Sequence, residues 1–424
     1  MRTVCFRYLL AAALALPLTA GSIPVAKPEE VGLSSERLAR IHDVVRRYID
    51  SKDVSGAVTI MARKGRIAHF EAQGLMDIES KKPMTKSTIF RMASMTKPVT
   101  AVAVMMLVEE GKIRLSDPVS KFIPEFKDTQ VAMPKQPVSP APVAPGQPPR
   151  EQEIYLVPAN REVTIQDLLT HTSGLSSSGL ARRATAKLAP KNPTDTLADR
   201  IPRLGAVPLD FQPGTDWAYS GLDGPDTLGR IVELVSGMPY DAFLRRRIFE
   251  PLGMQDTIFY PSEALWSRVV TLYRATPKGL ERSQNQDGYA NKTYISGAAG
   301  LLCTAEDYLQ FAQMLLNGGV LNGKRLLSPR TVELMSSNHV GDLFSGKVSR
   351  PAHGLGFGFL MQVVLNSVQA GWRVSTGSYG WDGAYGTLFW VDPKEKMVEI
   401  IMMQTLNHDL QRDFENAVMQ AIVD

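Results

Sequence analysis

From Leu33-Ser34-Ser35-Glu36 to about residue 50, apolar positions recur at helical spacing, with Leu38, Ile41, Val44, Val45 and Tyr48 on one face. That period, opened by a serine and a glutamate, predicts an amphipathic helix. The pattern then turns extended: residues 56–60 and 67–73 flank Arg63-Lys64-Gly65-Arg66 and predict a hairpin. The far end of the chain mirrors this arrangement. Residues 387–391 and 397–404 flank Asp392-Pro393-Lys394-Glu395-Lys396, and residues 409–423 read as a closing helix. Matching elements at both ends predict that the termini meet in one antiparallel sheet covered by helices.

Between them, from Ser94 to about residue 280, the strong signals are helical: residues 166–170, 224–236 and 240–249. The run after Ser94 is apolar almost all round until Gly111 stops it, which predicts a buried helix. The fold class is therefore α/β (α+β). Residues 23–93 and 281–424 are expected to form the domain with the antiparallel sheet, residues 94–280 a mainly helical domain inserted between them, and a cleft to lie between the two. Residues 133–150 carry seven prolines and predict a surface loop, partly polyproline II.

Composition excludes little in a chain of 424 residues that is 44% hydrophobic and 21% charged, apart from special classes. The net charge of +4 is scattered, and the longest basic run, Arg245-Arg246-Arg247, reads as a solvated helix face. Nucleic acid is not an expected partner. Residues 1–22 read as a signal peptide, with Arg2 and Arg7 before an apolar stretch over residues 8–18 and Thr19-Ala20-Gly21-Ser22 as its exit. Ser22 stands where a lipoprotein would carry its lipidated cysteine. The expectation is an exported protein, periplasmic or secreted, with no stable membrane anchor after signal removal; an uncleaved N-terminal anchor is the alternative. Cys303 is the one cysteine beyond the signal and reads as a small buried hydrophobe.

Ser94-Met95-Thr96-Lys97 places a hydroxyl and an amine three residues apart at the start of the buried helix, on one face. A serine hydroxyl becomes a nucleophile when a neighbouring base takes its proton. By spacing alone the pair is more often an N-cap serine with a solvated lysine, but a lysine in the first turn of so apolar a helix is costly to bury without a task. The G-x-S-x-G elbow is absent, and the six histidines form no H-E-x-x-H pair. No metal or cofactor is expected.

Two further segments could complete a site. Tyr219, in Phe211-Gln212-Pro213-Gly214-Thr215-Asp216-Trp217-Ala218-Tyr219-Ser220-Gly221, is either a packing aromatic or, beside a lysine cation, a general base. Ser378-Tyr379-Gly380-Trp381-Asp382-Gly383-Ala384-Tyr385-Gly386-Thr387 is either a tight turn with a stacked tryptophan or a strand edge that offers a backbone N–H to an oxyanion.

The order of Ser94-x-x-Lys97, Tyr219-Ser220 and Trp381-Asp382-Gly383 resembles the serine β-lactamase and penicillin-binding-protein superfamily, in the class C-like branch with the family VIII carboxylesterases. Leu168-Leu169-Thr170-His171-Thr172-Ser173-Gly174-Leu175, Glu250-Pro251-Leu252-Gly253-Met254 and Ser296-Gly297-Ala298-Ala299-Gly300-Leu301 support it, so the likeness runs from about residue 32 onward. The resemblance implies a β-lactamase-like fold with Ser94 as the acylated nucleophile, Lys97 holding the proton network and Tyr219 as base. It implies an oxyanion hole from the backbone N–H groups of Ser94 and Ala384, and substrate-binding positions at Trp381, Gly383 and Gly221. His171 would be a loop anchor.

Two departures bear on the substrate. Gly221 stands where β-lactamases and DD-peptidases of this branch usually have an asparagine, and Trp381-Asp382-Gly383 replaces a Lys-Thr-Gly-like motif. Both remove polar recognition of a peptide-like carboxylate, which favours small neutral esters. The expected function is a serine carboxylesterase hydrolysing short-chain acyl esters, with side activity on β-lactams. A class C-like β-lactamase or DD-peptidase is the alternative, and a non-catalytic ligand-binding relative the remote one. The sequence does not set the direction of Asp382 or the oligomeric state.

Overall fold

The computed structural model describes residues 22–135, 152–175, 179–284, 292–345 and 353–424. All but the last residue of the expected signal peptide, and most of the proline-rich segment, lie outside these residues.

The two ends of the chain build one sheet. Strands β1 (Gly56–Arg63), β2 (Arg66–Asp77) and β3 (Lys82–Pro83) come from the first end, and β4 (Leu355–Phe357), β5 (Gln362–Val364), β6 (Tyr379–Asp382), β7 (Leu388–Asp392) and β8 (Met397–Met402) from the second. Their order is β4-β5-β6-β7-β8-β1-β2-β3, antiparallel throughout, with Ile60 opposite Ile400 where the two halves of the chain join. Lys64 and Gly65 have φ values of 53° and 73°, the twist of a two-residue hairpin turn, and so pair Arg63 with Arg66.

Helices cover both faces of the sheet. Helix α1 (Arg40–Asp50) buries Ile41 and Val45, and packs with α6 (His408–Met419) on one face. Helix α5 (Ala305–Leu316) lies on the other against β1, β7 and β8. The single helix expected from residue 33 is broken at Ala39 into Ser35–Leu38, capped by Ser34, and α1.

Helix α2 (Thr96–Glu109) is buried from Thr96 through Leu107 and packs against α4 (Asp223–Ser236). Helix α3 (Ile165–Thr170) also packs on α4, and its capping box joins Thr164 to Asp167. Among its described residues, the stretch expected to be helical also contains two β-ribbons: Gln130–Pro134 with Ile154–Pro158, the first arm of which takes in the start of the proline-rich segment, and Tyr273–Thr276 with Gly279–Arg282, which runs through residue 280. Among the described residues no helix is long and apolar enough to cross a membrane.

Candidate active site

Ser94 does not lie in α2 but in a 3₁₀ turn, Ala93–Met95, that leads into it. In that geometry positions i and i+3 nearly eclipse, and Lys97 Nζ stands 3.2 Å from Ser94 Oγ. Three hydrogen bonds, with Tyr308 and Leu301, hold the turn and its flanks. Tyr308 donates to the Met95 carbonyl at 2.8 Å, Met92 N–H to the Leu301 carbonyl at 2.9 Å, and Leu301 N–H to Thr96 Oγ1 at 3.1 Å. Ala93 carries the bend with φ 46°, a conformation that costs a non-glycine residue of order 1–3 kcal/mol and persists only in a framework that over-determines it.

Lys97 is fully buried. Its three N–H groups meet three uncharged acceptors: Ser94 Oγ, the Gly221 carbonyl at 2.8 Å and the Ala298 carbonyl at 3.0 Å. The Tyr219 ring lies 4.9 Å from Nζ and offers its face to the cation. Tyr219 Oη–H in turn donates to Ser94 Oγ at 2.6 Å. Lys97 and Tyr219, far apart in sequence, thus both donate to the one hydroxyl of Ser94.

The Ala298 carbonyl is fixed by a second layer. Asp226 of α4 is buried and accepts from Ala298 N–H at 3.1 Å, Ser296 Oγ at 2.7 Å and Tyr294 Oη at 2.9 Å. Burial pushes its carboxyl above the usual aspartate range. On the other side Thr100 Oγ1 donates to the Gly297 carbonyl at 2.6 Å, and a side chain at Gly297 would strike the Pro225 carbonyl.

The remaining expected residues fall around this centre. Trp381 packs its ring 5.6 Å from Tyr219 and 5.3 Å from Phe357, forming an aromatic wall. Strand alternation sends the Asp382 side chain to the face opposite Trp381. Gly383 is buried rather than open: a Cβ there would come within 2.2 Å of Thr387 Oγ1 and 2.4 Å of the Met92 carbonyl, so the glycine lets the turn after β6 lie against the segment leading to Ser94. Ala384, next in that turn, is exposed. Gly221 contributes its carbonyl to Lys97, and the space where its side chain would stand is empty. His171 is buried at the end of α3, its ring 5.0 Å from that of Tyr219. Cys303 is buried as expected, and burial pushes its thiol well above the usual range. No group of side chains among the described residues is arranged to hold a metal ion.

A model of the family described as Beta-lactamase matches residues 41–422, nearly the whole chain. The protein belongs to the Beta-lactamase family. Within it, the chain is 30% identical over 431 residues to Esterase EstB of Burkholderia gladioli, covering 96% of this chain and 99% of that one. It is 31% identical over 305 residues to the lovastatin esterase of Penicillium rubens, covering 69% and 71%. Among solved structures it is similar to EstCE1, a hydrolase with promiscuous acyltransferase activity, with a TM-score of 0.75, 27% identity, and coverage of 91% and 99%. The β-lactamase-like fold expected from the sequence is thus the one the chain has. Asp226 and Phe357 were not anticipated as neighbours of the site. Acidic residues at the start of α4 resemble ordinary helix-dipole partners, and no local pattern sets Phe357 apart from other strand aromatics.

Proposed function

We propose that the protein is a serine carboxylesterase that cleaves short-chain acyl esters through an acyl-enzyme. The observation that carries this reading is a single hydroxyl, Ser94 Oγ, with Tyr219 Oη at 2.6 Å and Lys97 Nζ at 3.2 Å. In the reacting form Tyr219 is the phenolate, its own proton given up to solvent, beside the Lys97 cation, and Ser94 Oγ–H donates to Tyr219 Oη; Ser94 Oγ attacks the ester carbonyl carbon as that proton passes to Tyr219. The carbonyl oxygen becomes the oxyanion, for which the backbone N–H groups of Ser94 and Ala384 are the proposed donors. As the bond to the alcohol oxygen breaks, the same pair returns the proton to that oxygen and the alcohol leaves. Water then attacks the acyl carbon, its proton follows the same route, and the acid is released with Ser94 restored.

The esterase relatives support the ester as substrate, and so does the apolar wall of Trp381 and Phe357. The shared acyl chemistry supports side activity on β-lactams. The N-terminal sequence supports export to the periplasm or beyond. The test is hydrolysis of a short-chain nitrophenyl ester compared with a cephalosporin, with Ser94→Ala as control. Ester turnover lost in Ser94→Ala, and exceeding cephalosporin turnover in the parent, is the expected result. Equal ester hydrolysis by both proteins removes Ser94 from the mechanism, and a preference for the cephalosporin makes the protein a β-lactamase instead.

A further inference from the structure

Residues 171–175, just past α3, serve as a backbone template for the loop that bears Tyr219. Asp210 N–H donates to the Gly174 carbonyl at 2.8 Å, Gly214 N–H to the Thr172 carbonyl at 2.8 Å and Ala218 N–H to the His171 carbonyl at 3.1 Å. Ser220 Oγ–H donates to the Leu175 carbonyl. From the template's side, the His171 side chain joins this set: Ser220 N–H donates to His171 Nδ1 at 3.3 Å. Because Nδ1 accepts, the proton of the neutral ring sits on Nε2, and Nε2 is buried with no partner among the described residues.

An unpaired buried N–H costs about 1–3 kcal/mol, and nothing in the proposed acyl transfer uses it. The ring that bears it is wedged between the residues that shape the site, 5.0 Å from Tyr219 at 70°, 5.9 Å from Trp217 and 5.2 Å from Phe357. His171 also has φ 59°, a left-handed conformation that histidine and asparagine adopt more readily than most residues.

We infer that His171 is a positioning residue for Tyr219: an uncharged imidazole, held as the Nε2–H tautomer, that sets the tyrosine ring by bonding the next peptide N–H and packing against the ring edge. The titratable groups that face it are Lys97 from α2 and Tyr219 from the loop. Charging the imidazole would place a proton on Nδ1, evict the Ser220 N–H and set a second cation beside Lys97. Burial first, and then the Lys97 charge, press its pKa well below the usual histidine range.

This inference rests on Ser94 as nucleophile and Tyr219 as base, which fluorophosphonate labelling of Ser94 in the parent protein tests separately. Two substitutions isolate the role of the histidine. His171→Asn keeps an acceptor for Ser220 N–H and tolerates the backbone; His171→Phe keeps a ring and loses the acceptor. With a short-chain nitrophenyl ester and rates normalised to labelled Ser94, His171→Phe is expected to lower kcat by about 10- to 100-fold with KM within about twofold, as for a misplaced catalytic group. His171→Asn should stay within about threefold of the parent kcat. Nitrogen NMR of the parent should show His171 as the neutral Nε2–H tautomer throughout the pH range in which an ordinary imidazole titrates. Parent-level kcat per labelled site in a folded His171→Phe protein, or an imidazole that titrates across that range, would overturn the inference. If His171→Phe does not fold, the NMR result alone decides; if Ser94 is not labelled, the failure lies with the nucleophile.

Discussion

Burying an ammonium group costs several kcal/mol unless its hydrogens find acceptors, and Lys97 finds three, none of them a carboxylate. A structural lysine would be better served by an acid. Uncharged acceptors fit the proposed role, in which Lys97 holds the proton network around Ser94 and Tyr219. Lys97→Met should therefore remove activity by about 10²- to 10⁴-fold, as should Tyr219→Phe, measured as kcat/KM on a short-chain ester. Tyr219→Phe keeps its ring packing, so an unchanged Tm beside the lost rate separates chemistry from folding. The empty space at Gly221 bears on substrate choice. Gly221→Asn should fit without strain and shift the ratio of cephalosporin to ester turnover upward by about tenfold; an unchanged ratio would show that the missing amide does not set specificity. Ser94 and Lys97 were legible because a lysine in an apolar helix is conspicuous. The hydrogen bond between Tyr219 and Ser94 was not, because 125 residues separate them and only tertiary packing brings them together.

At the scale of elements, the site hangs on one tight turn and one close approach. The 3₁₀ turn at Ala93–Met95 aims Ser94, and the turn after β6 lies against it because Gly383 has no side chain. Gly383→Ala would strike both Thr387 Oγ1 and the Met92 carbonyl. The substitution is expected to cost about 1–3 kcal/mol of stability and to lower kcat at least about tenfold. Denaturant unfolding and kinetics on the folded protein check the two effects, and a stable variant with full kcat would contradict the close approach. The buried helix α2 and its stop near Gly111 follow directly from the apolar run. The ribbon pairing Gln130–Pro134 with Ile154–Pro158 was hidden because its strands are short and the prolines between them dominate the local pattern.

At the scale of the whole molecule, a buried acidic pair lies where α6 covers the sheet that joins the two ends, with Glu399 in β8 and Glu415 in α6. Burial, together with Glu415 and Asp392, pushes Glu399 well above the usual glutamate range, and burial also raises Glu415. The native state then holds these protons more tightly than the unfolded chain does. The stability this contributes is full below the unfolded glutamate range and is lost as pH rises through the raised native values. Glu399→Gln removes one such group. Relative to the parent, the variant should gain at least about 1 kcal/mol on going from about pH 5 to about pH 8, read from denaturant unfolding at both pH values; the same difference from the parent at both would contradict the buried pair. The matching hairpins and helices at both ends foretold a shared antiparallel sheet. It could not foretell this pair, since Glu399 and Glu415 sit in a strand and a helix whose packing only the fold decides. The central claim, that Ser94 is acylated by an ester, is tested most directly by quenching the reaction with a short-chain nitrophenyl ester within the first turnovers and mapping the acyl group by mass spectrometry. Acylation of the peptide bearing Ser94, absent in Ser94→Ala, is the predicted result; turnover with an unmodified Ser94, or an acyl group on another residue, would contradict it.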